Sequence, residues 1–290
     1  MLENFYTCYI VNKNTNKTLY LQPSKDYTIE SIDGLSPPTA TINGTPLVGV
    51  DGQTLSNNRI DTRTITINLY INSPAETNRI NLYSVFKLKD LIKINFKNGT
   101  RNVFAEGYIE NFEINLFSIK QTAQITIKCF EPYFKSLPHY IHIGSNSDLF
   151  EYPFEREDNG DIMSEYNFDT DITFNYNGDT ETGMEIEITS LVEAEIQGPI
   201  MIHNPKTQEV FAINKHMESK EKIEIDTNAG KKRVYSYING ISYTRLELLG
   251  AGSKWLQIRP GQNTFNIVTK YEELEKLEIK ITYYEKYLGV

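Results

Sequence analysis

Cysteine is scarce in this chain, with only Cys8 and Cys129 among 290 residues. Two cysteines exclude a disulfide framework and a cysteine-rich zinc site. Each lies in a segment that alternates apolar and polar residues, on the apolar side. We therefore expect both thiols to be buried as small hydrophobic groups.

Long apolar runs are missing as well. No segment approaches the ~18 apolar residues that a membrane-spanning helix needs. The first residues, MLENFYTCYIVNKNTNK, lack the basic region and apolar stretch of a secretion signal. These features predict a soluble chain made in the cytoplasm, with no membrane partner.

Positive charge is in deficit. The chain has 29 basic and 38 acidic residues, a formal net charge of −9. Surfaces that grip nucleic acid or anionic membranes need clustered Lys and Arg. The charge balance therefore argues against both kinds of partner, although DNA passing nearby without adhering is compatible with it.

Motifs for catalysis are absent from the sequence. The four histidines (His139, His142, His203 and His216) have no Cys or carboxylate at a familiar ligand spacing. The acidic run 155–161 lacks the spacing of a calcium loop. Phosphate-binding GxxxxGK[ST], dinucleotide GxGxxG and hydrolase GxSxG are missing. We expect no catalytic residue, no metal and no cofactor.

What the chain does contain is short alternating segments, rich in its 19 Tyr and 14 Phe. Residues 64–71, 92–96 and 121–129 each place apolar side chains on one face, as half-buried antiparallel strands do. Asn98-Gly99 is a hairpin-turn signal. Pro132 cannot donate to a ladder, so the strand before it should end there.

One helix interrupts the strands, in SPAETNRINLYSVF. Ser73 suits an N-cap, Pro74 a first helical position, and Glu76 a capping box. The spacing then predicts that Ile80, Tyr83 and Phe86 share one face.

Two irregular stretches divide the chain. Residues 37–58 contain three prolines and three glycines with little periodicity, so we expect an irregular loop with a function. Residues 132–167 hold the domain boundary. The predicted organisation is a first β domain over 1–135, a linker over 136–167 and a second β domain over 168–290.

Ordered motifs spread along the chain resemble the distal tail (Dit) proteins of long-tailed bacteriophages. In the first domain they are Gly34-Leu-Ser-Pro-Pro38, Asp51-Gly52, Arg63-Thr-Ile65, the helix from Pro74, Glu106-Gly-Tyr108, Phe117-Ser118, Gln121 and Cys129-Phe-Glu-Pro-Tyr133. In the second they are Gly178-Asp-Thr180, Asn204-Pro205, Ile225-Asp-Thr227, Asn239-Gly240 and Pro260-Gly-Gln-Asn263. Together they cover nearly the whole chain except the linker.

The resemblance implies a mainly β fold: a tail-tube-like N-terminal β-sandwich with one α-helix, and a galectin-like jelly-roll β-sandwich after it. It implies a homo-hexameric ring at the virion tail tip, assembled in the bacterial host cytoplasm. The ring would join the tail tube protein to the tail-tip hub, or tail-associated protein, and to receptor-binding components. DNA would pass through its channel without specific binding, since six copies carry a formal −54, six times −9.

Two sets of residues are candidates for this role. Ring-interface candidates are Gly34, Pro37, Pro38, Asp51, Gly52 and Arg59, in or beside the long irregular stretch. Channel-face candidates are Thr122, Gln124, Thr126 and Lys128, on the polar side of the strand that ends before Pro132.

Two other functions stay open. In a carbohydrate-binding adhesin, Tyr237, Tyr243 and Trp255 would contact host cell-wall polysaccharide, although such aromatics more often fill a core. A glycan-cleaving tail enzyme has only abundant carboxylates in its favour.

Overall fold

The computed structural model describes residues 6–49, 51–144, 146–148, 164–166, 171–193, 195–196, 198–269 and 274–290. The chain divides into two compact units. Unit 1 comprises residues 1–137 and 286–290, and unit 2 comprises residues 138–285. Every strand pair found among the described residues is antiparallel.

Unit 1 is built from one helix and eleven strands in its described part. The strands are β1 (Thr7–Asn12), β2 (Thr18–Gln22), β3 (Tyr27–Asp33), β4 (Ala40–Pro46), β5 (Gln53–Ile60), β6 (Arg63–Ile71), β7 (Leu91–Lys97), β8 (Asn102–Asn115), β9 (Thr122–Cys129), β10 (Phe134–Ser136) and β23 (Lys286–Tyr287). Seven of them form a sheet in the order β2-β1-β7-β8-β9-β6-β3, to which β10 and β23 are added beside β8.

One apolar cluster fills unit 1. It takes the inward side chains of the alternating strands, with Ile65, Ile67 and Leu69 of β6 and Ile125 and Ile127 of β9 all fully buried. The alternation predicted for these strands is confirmed. Both thiols are also buried, as expected.

Helix α1 (Ala75–Val85) is present where predicted, but its details differ. Its N-cap is Pro74, with no side-chain cap bond, so the predicted capping box is wrong; Glu76 pairs with Arg79 at 2.5 Å instead. The buried stripe consists of Asn78, Leu82 and Val85, which are spaced by four and three residues. Of the three residues predicted to share an apolar face, Phe86 is buried, whereas Ile80 and Tyr83 are 53% and 41% exposed, so the prediction was wrong for these two.

Unit 2 is a sandwich of two sheets around a second core. Its strands are β11 (His139–Ile143), β12 (Asn146–Asp148), β13 (Ser164–Tyr166), β14 (Asp171–Tyr176), β15 (Met184–Ser190), β16 (Ile200–Asn204), β17 (Glu209–Ile213), β18 (Lys222–Asp226), β19 (Arg233–Ile238), β20 (Ile241–Thr244), β21 (Gly261–Thr269) and β22 (Leu277–Tyr283). The sheet orders are β11-β22-β15-β18-β19-β20 and β14-β21-β16-β17. A short 3₁₀ turn, Leu246–Leu248, follows β20. The predicted fold class, mainly β with sandwich units and one helix, is confirmed.

The chain path differs from the predicted boundaries at two points. Strand β11 lies inside the predicted linker 136–167, yet it pairs along its length with β22 of unit 2. Residues 286–290, assigned by sequence to the second domain, belong to unit 1. The acidic run 155–161 lies outside the described residues.

Candidate interaction surfaces

A two-stranded arm is the most exposed element of unit 1. Strands β4 and β5 pair with each other and with no other described strand. Every strand residue is exposed except Thr41, and the apolar side chains Ile42, Leu47, Val48 and Leu55 are between 53% and 104% exposed. An isolated hairpin is marginally stable in water. The arm therefore presents apolar side chains and two free strand edges that a second molecule can cover.

The prediction of an irregular loop over residues 37–58 was wrong, because most of these residues form the paired strands β4 and β5. A ribbon exposed on both sides has no buried face, so its sequence shows no apolar alternation. Its turn is marked by Gly49 and Gly52, both at positive φ. Thr45 and Ser56 share a cross-strand hydrogen bond of 2.9 Å, and Thr41 donates to Asp61 at 2.6 Å.

The six ring-interface candidates all lie on this arm or at its root. Asp51 and Gly52 are at the tip, and Arg59 on β5 pairs with Asp61 at 3.4 Å. Gly34, Pro37 and Pro38 lie in the segment 34–39 that joins β3 to β4; we call this segment the arm root. Gly34 has φ +87°, and a Cβ there would lie 2.1 Å from the Thr64 carbonyl oxygen, so glycine is required.

Arg63 anchors the arm root from below. Its guanidinium, in a residue only 2% exposed, donates to the carbonyl oxygens of Gly34, Ser36 (2.8 Å), Pro132 (2.7 Å) and Leu288 (2.6 Å). It also lies 4.3 Å above the Phe134 ring. Burial lowers the pKa of Arg63, and the four carbonyl acceptors replace the water that its N–H groups have lost.

The four channel-face candidates share the outward side of β9. Thr122, Gln124, Thr126 and Lys128 alternate with buried Ala123, Ile125, Ile127 and Cys129. Gln124 donates to Asn68 at 2.9 Å, and Asn68 donates to Ser31 at 2.9 Å, so a ladder of polar side chains crosses β9, β6 and β3.

A concavity of about 490 Å³ lies on the same face. Glu30, Asn68, Glu113, Asn115, Thr122 and Gln124 are among the residues that line it. Two carboxylates and several amides make it polar and acidic. Lys128 is close to a third carboxylate, that of Glu110, at 3.5 Å. This face is therefore polar, and carboxylates predominate among its charged groups.

The three aromatic candidates of unit 2 do not converge on one surface. Ser236 faces Tyr243 and Tyr237 faces Ser242 across β19 and β20, so the two tyrosines point to opposite sides of the sheet. A hydrogen bond to Glu224 raises the pKa of Tyr237. Trp255 is half-buried against Phe211, with ring centroids 5.5 Å apart.

Cations already cover two of these rings. Arg245 lies 5.0 Å from the Tyr243 ring centroid, and the Lys232 ammonium lies 5.9 Å from that of Trp255. A sugar that stacked there would compete with these contacts.

The histidines are dispersed over unit 2. His139 stacks on Tyr283 at 5.1 Å, and His216 Nδ1 accepts the Gly198 amide at 3.1 Å. Within the described ranges, no group of three or more His, Cys, Asp or Glu side chains could hold a metal ion. The described helices are also too short or too polar to span a bilayer.

Two features of unit 1 were not predicted from the sequence. The first is the anchoring role of Arg63, which the sequence showed only as part of a family motif, because no neighbouring residue indicates which carbonyl groups it binds. Phe117 and Ile119, at the turn between β8 and β9, are 100% and 106% exposed. Two large apolar residues within a polar turn were a readable signal for this second exposed apolar site.

Comparisons with known proteins agree with this architecture. Residues 177–287 match the family of the siphovirus-type tail component, C-terminal domain. Residues 177–285 of this match belong to unit 2, and its last two residues form β23 of unit 1. A search of curated proteins found no match.

The fold of the chain is similar to that of the Dit protein of phage SPP1. That crystal structure is described as a paradigm of the hub adsorption apparatus in phages that infect Gram-positive bacteria. Its TM-score is 0.62 at 10% identity, covering 96% of this chain and 98% of that chain.

A chain of the phage P2 baseplate in its activated conformation with calcium has a TM-score of 0.48 at 11% identity, covering 96% of this chain and 97% of that chain. Residues 177–287 are therefore similar to the C-terminal domain of siphovirus-type tail components, and the chain as a whole shares the fold of the SPP1 Dit protein.

Proposed function

We propose that this protein is the ring-forming adapter of a phage tail tip or of a prophage-derived tail-like particle. The similarity of residues 177–287 to siphovirus-type tail components supports a structural role in the virion tail. The finer proposal is a homo-hexamer that joins the tail tube to the tail-tip hub and to the receptor-binding apparatus. It acts by oligomerisation and docking, without turnover of a substrate.

The observation that carries this proposal is the β4–β5 arm. A protein that stays monomeric has little reason to maintain a hairpin with no buried face and several exposed apolar side chains. Heterologous contacts, in which one surface of a copy meets a different surface of the next, close into rings. The arm supplies one such surface, and it carries or adjoins all six ring-interface candidates.

The outward face of β9 supplies the channel lining in this proposal. Its Thr and Gln side chains are neutral, the Lys128 ammonium lies 3.5 Å from the Glu110 carboxylate, and the nearby carboxylates of Glu30 and Glu113 repel phosphate groups. Duplex DNA would slide past such a wall without neutralising its charge there. Residues 122–128 should therefore line the lumen in a ring reconstruction, and a map that places them on the outer wall would exclude this assignment.

The test of the ring is electron microscopy of the purified protein combined with its mass in solution. Each chain has a mass of 33.4 kDa, so six copies give about 200 kDa. We expect rings with six-fold symmetry and a central hole. A monomer at every concentration, both alone and with the tail tube protein and hub present, would overturn the ring proposal.

The adhesin alternative gains no support from the geometry of Tyr237, Tyr243 and Trp255. A glycan array tests this alternative. Glycan binding by the wild type that is lost in a correctly folded Trp255→Ala variant would support the adhesin function.

A further inference from the structure

The last residues of the chain return to unit 1 and close over the arm root. Strand β23 pairs with β10, and the Arg101 guanidinium donates to the Gly289 carbonyl oxygen. The Val290 amide donates to the Leu35 carbonyl oxygen at 3.2 Å. Residues 286–290, which we call the tail, therefore contact the segment from which the arm starts.

Arg63 joins the tail and the arm root through one guanidinium. It holds Gly34 and Ser36 of the root and Leu288 of the tail at the same time. Removing the tail deprives a buried cation of one of its carbonyl acceptors, which leaves donor groups without a partner. We expect the loss of this hydrogen bond to loosen the arm root, because the remaining hydrogen bonds of Arg63 go to the arm root and to Pro132.

Packing reinforces these bonds. A Cβ on Gly289 would lie 3.1 Å from the Leu35 carbonyl oxygen and 3.4 Å from Pro37 Cδ, so the tail backbone lies directly against the root. Val290 packs on the core of unit 1. The arm itself has no buried side chain with which to fix its own direction.

The tail is also late in the chain. Leu288 lies 225 positions after Arg63, with all of unit 2 between them. During synthesis the arm is complete long before the residues that close its root are made.

We infer that the tail is a latch that holds the arm in the direction required to meet the next copy, so that ring assembly waits until unit 2 has been made. This inference rests on the proposed ring. In an unlatched chain, the arm root pivots and the arm samples many directions, which raises the entropy lost when it binds.

Spin labels can measure the direction of the arm independently of assembly. Labels at Val48→Cys, on the fully exposed arm tip, and Thr18→Cys, on exposed β2, report the distance between the arm and the sheet. Cys8 and Cys129 are buried and do not compete for the label. Labelled protein is diluted with unlabelled protein so that only distances within one chain are recorded.

The variants are a chain that lacks residues 286–290 and the gentler Gly289→Val, whose side chain pushes the tail away from Leu35 and Pro37. Gly99→Val is the matched control, since a Cβ there meets nothing within 4 Å. We expect one narrow distance distribution in the wild type and in Gly99→Val, and at least a doubling of its width in both tail variants. Equal widths in all four proteins, or a broad distribution in the wild type, would overturn the latch.

Ring formation by the same proteins separates the two proposals. If the tail variants broaden the distribution and lose rings that the wild type forms, both stand. Broadening without rings in any protein supports the latch and counts against the ring. Rings that persist in Gly289→Val at wild-type yield, despite a broadened distribution, would refute the claim that assembly needs the latch.

Discussion

Single residues of unit 1 show how burial and backbone geometry set chemical behaviour. The thiols of Cys8 and Cys129 are fully buried among apolar side chains. Burial raises the pKa of each to about 12, because the apolar surroundings disfavour the charged thiolate; for Cys129 the nearby Arg63 opposes this only in part.

We expect neither thiol to react with Ellman's reagent in native protein at pH 8. With pKa values four units above that pH, roughly one thiol in ten thousand is ionised, and access is blocked as well. Both should react at once in guanidinium chloride. Release of one equivalent within minutes under native conditions would show that a thiol is accessible.

Gly34→Ala tests the backbone requirement at the arm root. A Cβ at φ +87° and 2.1 Å from the Thr64 oxygen should cost about 3 kcal/mol of unfolding free energy. Gly99→Ala, in open space, should change it by less than about 0.5 kcal/mol. Trp255 is the only tryptophan and lies in unit 2. The shift should therefore appear in circular dichroism and leave the tryptophan fluorescence transition unchanged, whereas equal midpoints for both alanine variants would contradict it.

At the scale of elements, the arm is a separable module. Its strands bury nothing, and its two ends are held together by the bond from the Asp61 amide to the Thr39 carbonyl oxygen at 2.9 Å. The fold of unit 1 should not depend on the residues between these ends.

Excising residues 40–60 and joining Thr39 to Asp61 through two glycines should leave the monomer folded, with its unfolding free energy changed by less than about 1 kcal/mol. Rings should be lost, because the surface proposed to meet the next copy is gone. Mass in solution and circular dichroism measure the two effects. Intact rings formed by the shortened protein would remove the arm from the interface.

At the scale of the whole molecule, unit 1 is formed by two segments of the chain that are separated in sequence by unit 2. Unit 1 is completed by residues 286–290, so the segment before unit 2 is not by itself a complete domain. Register places Lys135 opposite Lys286, and a short turn can therefore join the two strands directly.

A fragment of residues 1–137 should be less stable than the same fragment joined through a two-residue turn to residues 285–290. The difference should be about 2–4 kcal/mol, from the lost β23 pairing, the Val290 contacts and the unpaired Arg63 donors. Urea unfolding of the two proteins measures it. Identical midpoints would mean that the tail contributes nothing to the stability of unit 1.

The charge of the whole assembly predicts weak affinity for DNA. At −9 per chain, the purified protein should bind duplex DNA no better than serum albumin does at physiological salt. Fluorescence anisotropy with a labelled duplex is the measurement. Tight binding that weakens steeply with added salt would contradict the proposed non-adhesive channel.

Features that depend on one buried face could be predicted from the order of the amino acids. Alternation identified β6 and β9, the segment after Pro74 was correctly predicted to be helical, and the two cysteines on apolar strand faces were correctly predicted to be buried free thiols. The predicted helix cap was wrong because the helix begins at Ala75 with Pro74, not Ser73, as its N-cap, and the proline side chain has no acceptor for the amides of the first turn. Ordered motifs also carried the family resemblance.

Tertiary structure alone decided the rest. The arm could not be recognised as paired strands, because neither of its faces is buried and no periodicity is imposed on it. The role of Arg63 depends on carbonyl groups that every residue type carries, brought together from positions up to 225 residues apart. Main-chain acceptors leave no mark in the sequence, so only the fold shows where they converge.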